Sequence, residues 1–120
     1  MPKRTRGLSA YDHLPSELYT AAQVRELDQR AMADEGVAAF ELMSRAGHAA
    51  FACLLSRWST AHHICVMAGV GNNGGDGYVI AALAAMHGLD VSFYAVGDHR
   101  QLSEASESAR QMAVAAGVRI

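Results

Sequence analysis

The stretch Gly69-Val70-Gly71-Asn72-Asn73-Gly74-Gly75-Asp76-Gly77 holds five glycines in nine residues, and its remaining polar members are two asparagines and one aspartate. An apolar run, Ile64-Cys65-Val66-Met67-Ala68, leads into it, and a helix-like run from Tyr78 to Met86 leads out. This order reads as strand, tight polar loop, helix. Glycines free the backbone for φ > 0 and allow a ligand close to the main chain. The N-terminus of the following helix offers unpaired N–H groups to an anion such as a phosphate. Two amides and a carboxylate at the same bend can bind ribose hydroxyls, an amide or a cation.

Working outward, the pattern alternates. Thr20-x-x-Gln23 is a capping box that opens a first helix, with Val24, Leu27, Ala31 and Met32 at helical spacing and Gly36 as its stop. A second helix is expected over residues 38–56, with Phe40, Met43, Ala46, Ala50, Leu54 and Trp58 on one apolar stripe. Strands are expected at 64–68 and 91–96 and helices at 75–87 and 100–116, with Gly88 and Gly117 as stops. Val118-Arg119-Ile120 reads as the start of a third strand. The fold class is therefore α/β. The β-α-β-α-β order predicts a Rossmann-like, three-layer parallel sheet with helices on both faces. Residues 1–15, with Lys3, Arg4, Arg6 and Pro15, read as a loose N-terminal arm, and 16–120 as the folded part.

Composition narrows the function classes. With 120 residues, 51% hydrophobic and 18% charged, the chain is one globular unit. A net charge of −2 exerts no general pull on nucleic acid or anionic membrane. No apolar run approaches the roughly 20 residues of a membrane span. Cys53 and Cys65 form no CxxC pair and lie in apolar runs, which predicts reduced, buried thiols and a cytoplasmic location. The histidines show no H-x-x-x-H or H-E-x-x-H spacing, so ordinary structural roles are expected for them. Neither a serine-hydrolase elbow nor a P-loop is present.

Gly69-x-Gly71-x-x-Gly74 also fits the dinucleotide fingerprint. The ribose-binding acid that this fingerprint requires falls at Asp90, which begins the next strand, or at the more distant Asp98. An NAD-dependent dehydrogenase would have no need of the Asn72, Asn73 and Asp76 cluster. A tight turn whose glycines only pack helix on strand would leave the same three residues unexplained.

Gly71-Asn72-Asn73-Gly74-Gly75-Asp76-Gly77 resembles the signature loop of the YjeF N-terminal family, the NAD(P)H-hydrate epimerases. Leu18 to Asp28 is similar to the family's opening helix, and Glu41-Leu42-Met43-Ser44-Arg45-Ala46-Gly47 to its second. The resemblance implies epimerisation between the R and S forms of hydrated NADH and NADPH. It implies substrate binding at Asn72, Asn73, Gly74, Gly75 and Asp76, and a K⁺ ion at Asn73. Asp76 is a candidate for the chemistry, with helix capping as its alternative role; no catalytic residue is assigned, because the family's principal acid is expected beyond Ile120. The resemblance also implies that only the N-terminal half of an epimerase domain is present, and relatives add a dehydratase domain. Expected partners are the small molecules NADHX and NADPHX, without nucleic acid or membrane. A homo-oligomer is a further expectation, because an open parallel edge invites pairing. A non-catalytic nucleotide-binding or scaffold module of the same fold, or an inert fragment of it, is the alternative function.

Overall fold

The computed structural model describes residues 16–120, so the expected N-terminal arm lies outside the described residues. Helix α1 spans Ala21–Glu35, α2 Ala39–Arg57, β1 His63–Ala68, α3 Asn72–Met86, β2 Asp90–Ala95 and α4 Glu104–Ala115. The two strands pair in parallel, from His63 opposite Asp90 to Ala68 opposite Ala95.

Local chemistry sets most of these boundaries. Thr20 Oγ1 accepts from Gln23 N–H at 3.2 Å, and Gln23 Oε1 accepts from Thr20 N–H at 2.8 Å, so the expected capping box opens α1. Gly36 ends α1 at φ 65°. Helices α3 and α4 close alike: Gly88 and Gly117 take φ 89° and 91°. Each is followed by a residue whose N–H returns to the last turn, Leu89 to the Ala84 carbonyl and Val118 to that of Ala113, both at 3.0 Å. Residues 118–120, expected to begin a third strand, pair with no strand, and among the described residues the sheet has two strands.

Two helix starts differ from expectation. Helix α4 begins at Glu104 rather than at 100, because the Asp98 carboxylate accepts from both the backbone and the guanidinium of Arg100 and holds a turn there. The Ser103 hydroxyl then caps the helix by accepting from Ser106 N–H at 3.2 Å. Helix α3 begins at Asn72 rather than at 75, so most of the expected loop is helix.

Helix α3 is the centre of the fold. Tyr78, Val79, Ala81, Ala82 and Ala84 on it are fully enclosed. One side rests on the sheet, through Ile64, Val66, Ala68 and Phe93. Helices α2 and α4 pack against α3 and against each other. On α2 the buried stripe is Met43, Gly47 and Phe51, one register away from the expected Ala46 and Ala50. A Cβ on Gly47 would collide with Val79, so this glycine lets α2 and α3 meet closely.

The outward side chains of the sheet are open. Met67 is 74% exposed and Tyr94 57%, and Cys65 is exposed, which corrects the expectation that both cysteines are buried. Trp58, expected on the α2 stripe, is 63% exposed. Helix α1 buries no residue and among the described elements touches only α2, so its expected stripe leaves Val24 and Leu27 about half exposed. No described helix is long and apolar enough to cross a membrane.

Candidate functional site

Strand β1 delivers the chain to its carboxyl end at Ala68, where ligand sites of open α/β sheets gather. The turn that follows is short. Gly71 is the N-cap of α3 in extended geometry, φ −80° and ψ −176°, and its carbonyl accepts from Gly74 N–H at 3.0 Å and Gly75 N–H at 3.3 Å. No glycine of the signature stretch adopts a positive φ; among the described residues those that do are Gly36, Gly88, Gly97 and Gly117. The glycines of the stretch serve close approach instead. A Cβ on Gly74 would strike the carbonyl oxygen of Gly69, and one on Gly75 would strike the end of Met43 and lie 2.8 Å from Ser106 Oγ. A Cβ on Gly77 would stand 3.2 Å from Val66 of β1. These three glycines seat the first turns of α3 against its own turn, against α2 and α4, and against the sheet. Gly69 and Gly71 face open space.

The first turn therefore projects asparagine and aspartate side chains from a rigid base, with the positive end of the helix dipole behind them. Asn72 and Asp76 line a cavity of about 670 Å³. Asp28 and Met32 of α1, Leu42 and Met43 of α2, and Glu104 at the start of α4 complete its walls. Asn72 Oδ1 accepts from the Ser103 hydroxyl at 3.3 Å, which ties the N-termini of α3 and α4 together. Asp76 is half-buried, and burial, with a smaller contribution from the negative charge of Asp28, raises its proton affinity above that of an ordinary carboxyl. Arg45 also lines the cavity, but its guanidinium is held by Glu41 at 2.6 Å.

The other residues of the stretch lie elsewhere. Asn73 is exposed, is not among the cavity residues, and its side chain has no hydrogen bond within the described residues. Gly74 and Gly75 are buried. Among the described residues no group of three or more His, Cys, Asp or Glu side chains is placed to hold a metal ion. A free amide oxygen at Asn73 suits a weakly held monovalent cation, of whose several oxygens it would supply one.

A second unit braces the strand ends. Tyr78 O–H and His99 Nδ1 are 2.7 Å apart, and His99 Nε2 lies 3.1 Å from the carbonyls of both Ala68 and Val96. Carbonyls only accept, so Nε2 carries the proton and the Tyr78 hydroxyl donates to Nδ1. Burial raises the Tyr78 pKa, opposed by Arg110 and aided by Glu107, which keeps the phenol a donor.

The dehydrogenase reading loses its acid. Asp90 opens β2, at the end of the sheet away from the glycine turn, and both oxygens of Asp98 are taken by Arg100 at 2.8 Å. Sequence reasoning missed Asp28, Arg45 and Glu104. Their signal was thin: Asp28 and Met32 share a helix face four residues apart, but nothing local says what that face meets.

The family described as YjeF-related protein N-terminus matches residues 39–120. The chain is 49% identical over 92 residues to the bifunctional NAD(P)H-hydrate repair enzyme of Coxiella burnetii, covering 77% of this chain and 19% of that protein. It is 37% identical over 90 residues to the NAD(P)H-hydrate epimerase of Lentilactobacillus buchneri, covering 74% of this chain and 42% of that one. A crystal structure of the yeast protein Ynu0 superposes with a TM-score of 0.72 at 22% identity, over 85% of this chain and 45% of that one, and shows the fold. The chain thus spans between about a fifth and somewhat under half of these relatives.

Proposed function

The chain belongs to the YjeF-related N-terminal family, and on that premise we propose that it serves the epimerisation of hydrated NADH and NADPH, binding the substrate across Asn72, Asp76 and the turn before them. The observation that carries this reading is the projection of Asn72 and Asp76, from one helical turn, into a single cavity at the carboxyl end of β1. The named relatives above, an epimerase and a repair enzyme, support it.

The chemistry asks for a proton donor and for a place that tolerates positive charge. The carbon that bears the hydroxyl is the one inverted. A carboxylic acid protonates that hydroxyl, the C–O bond breaks, and water leaves. The ring nitrogen shares the resulting positive charge. Water then adds to the opposite face and returns a proton to the carboxylate. Asp76, whose carboxyl holds its proton more tightly than usual, is suited to donate or to stabilise. The unpaired N–H groups of Asn72 and Asn73 at the start of α3 suit the substrate phosphates. Asn73 is the residue that would contribute an oxygen to a K⁺ ion, which would offset the charge of those phosphates.

The test is to supply one epimer of NADHX and follow appearance of the other by chromatography. The reading expects a rate above that in buffer, reduced about a hundredfold by Asp76→Asn. A rate equal to buffer contradicts it.

A further inference from the structure

Helix α1 is a puzzle as a structural element. It is well formed and capped, yet buries none of its residues, and among the described elements it touches only α2. What it does contribute is a wall: Asp28 and Met32, one turn apart, face the cavity into which Asp76 projects. These residues precede the segment matched by the family profile, which begins at 39.

The walls of this cavity differ in kind. Met32, Leu42 and Met43 make an apolar, polarizable side suited to a flat ring. Asp28, Asp76 and Glu104 make the polar side, and among the described residues the one guanidinium lining it, Arg45, is already held by Glu41. The unbalanced charge is negative. A phosphate is repelled from such a place, whereas a ring that gains positive charge relieves the repulsion between the carboxylates.

Building on the proposed epimerisation, we infer that this cavity holds the nicotinamide half of the substrate and that Asp28 is a specificity-determining residue there, favouring the ring in its cationic form. The phosphate-bearing half lies outside, toward the open side of Gly69 and Gly71. Asp28 and Glu104 set negative charge beside the ring before the proton leaves Asp76, and the carboxylate that Asp76 becomes adds to it once water is lost. Helix α1 thereby becomes part of the site.

Three small probes test this by titration into the chain, followed by NMR: the N-methylnicotinamide cation, neutral nicotinamide, and tetramethylammonium. The cation should bind about fivefold more tightly than nicotinamide, with shifts at Met32, Met43 and Asp76. Asp28→Asn, an isosteric change at an exposed helix position, should reduce that preference to less than about twofold while leaving ADP-ribose affinity unchanged. Equal binding of both nicotinamides by the wild type overturns the inference, as does a preference that survives Asp28→Asn. Tetramethylammonium binding as tightly as N-methylnicotinamide overturns the assignment of the ring. The proposed reaction fails separately: epimerisation without the preference removes only the role of Asp28, and the preference without epimerisation removes only the reaction.

Discussion

The hydroxyl of Tyr78 donates to Nδ1 of His99 across 2.7 Å, joining the second turn of α3 to the segment that leaves β2. Tyr78 is fully buried, and its ring stacks on Phe93 with centroids 4.5 Å apart. The far side of the imidazole gathers the carbonyls of Ala68 and Val96. One hydrogen-bonded relay therefore fixes the ends of both strands beside the glycine turn. Tyr78→Phe keeps the ring and its stacking but leaves Nδ1 without its donor. It should cost about 1–2 kcal/mol in urea unfolding, and an unchanged midpoint would show that the relay contributes nothing to stability.

The glycines of the signature stretch should separate by what their missing side chains would meet. Gly74→Ala drives a methyl into backbone, the Gly69 carbonyl, which cannot yield without opening the turn. A loss of about 2–3 kcal/mol is expected. Gly75→Ala meets the flexible end of Met43 and should cost less. Gly71→Ala, with open space around it and an ordinary φ of −80°, should fall within about 0.5 kcal/mol of wild type. Thermal melts of the three variants check the order; equal losses at Gly71 and Gly74 would refute the packing account.

Asp76 links the cavity to stability through pH. Its folded pKa is raised above the unfolded one, by burial first and the Asp28 charge second. The folded state therefore binds the proton more tightly, and stability falls as pH climbs through that window and stays lowered above it. Asp76→Asn removes this cost. The variant should melt higher than wild type at pH 7, and the gap should close below about pH 4. A variant less stable than wild type at pH 7 would contradict the sign.

Much of this was legible because it is local. Thr20 and Gln23 announce their capping box within four residues, and Gly36, Gly88 and Gly117 mark helix ends by a backbone angle only glycine takes easily. The strand before the glycine turn and the helix after it follow from apolar runs. What escaped depends on contacts distant in sequence or on competing local bonds. The early start of α3 requires Gly74 to lie on Gly69 and Gly75 to lie between Met43 and Ser106. The late start of α4 reflects the turn that Asp98 makes with Arg100. The place of Asp28 in the cavity depends on how α1 lies on α2, and no periodicity encodes that.

Asn73, exposed and with a side-chain amide that has no hydrogen bond among the described residues, is the proposed K⁺ ligand. Asn73→Ala should flatten the dependence of epimerisation on KCl at constant ionic strength while leaving the melting temperature nearly unchanged, since an exposed amide adds little to the core. Superimposable KCl curves for variant and wild type would remove Asn73 from cation binding.

The central claim, that the cavity below the first turn of α3 receives hydrated nicotinamide nucleotide, is tested most directly by mapping amide shifts of the labelled chain as NADHX is added. The account predicts saturable shifts at Asn72, Asp76, Met43 and Asp28, lost in Asp76→Arg. Shifts confined to other surfaces, or none at millimolar NADHX, would contradict it.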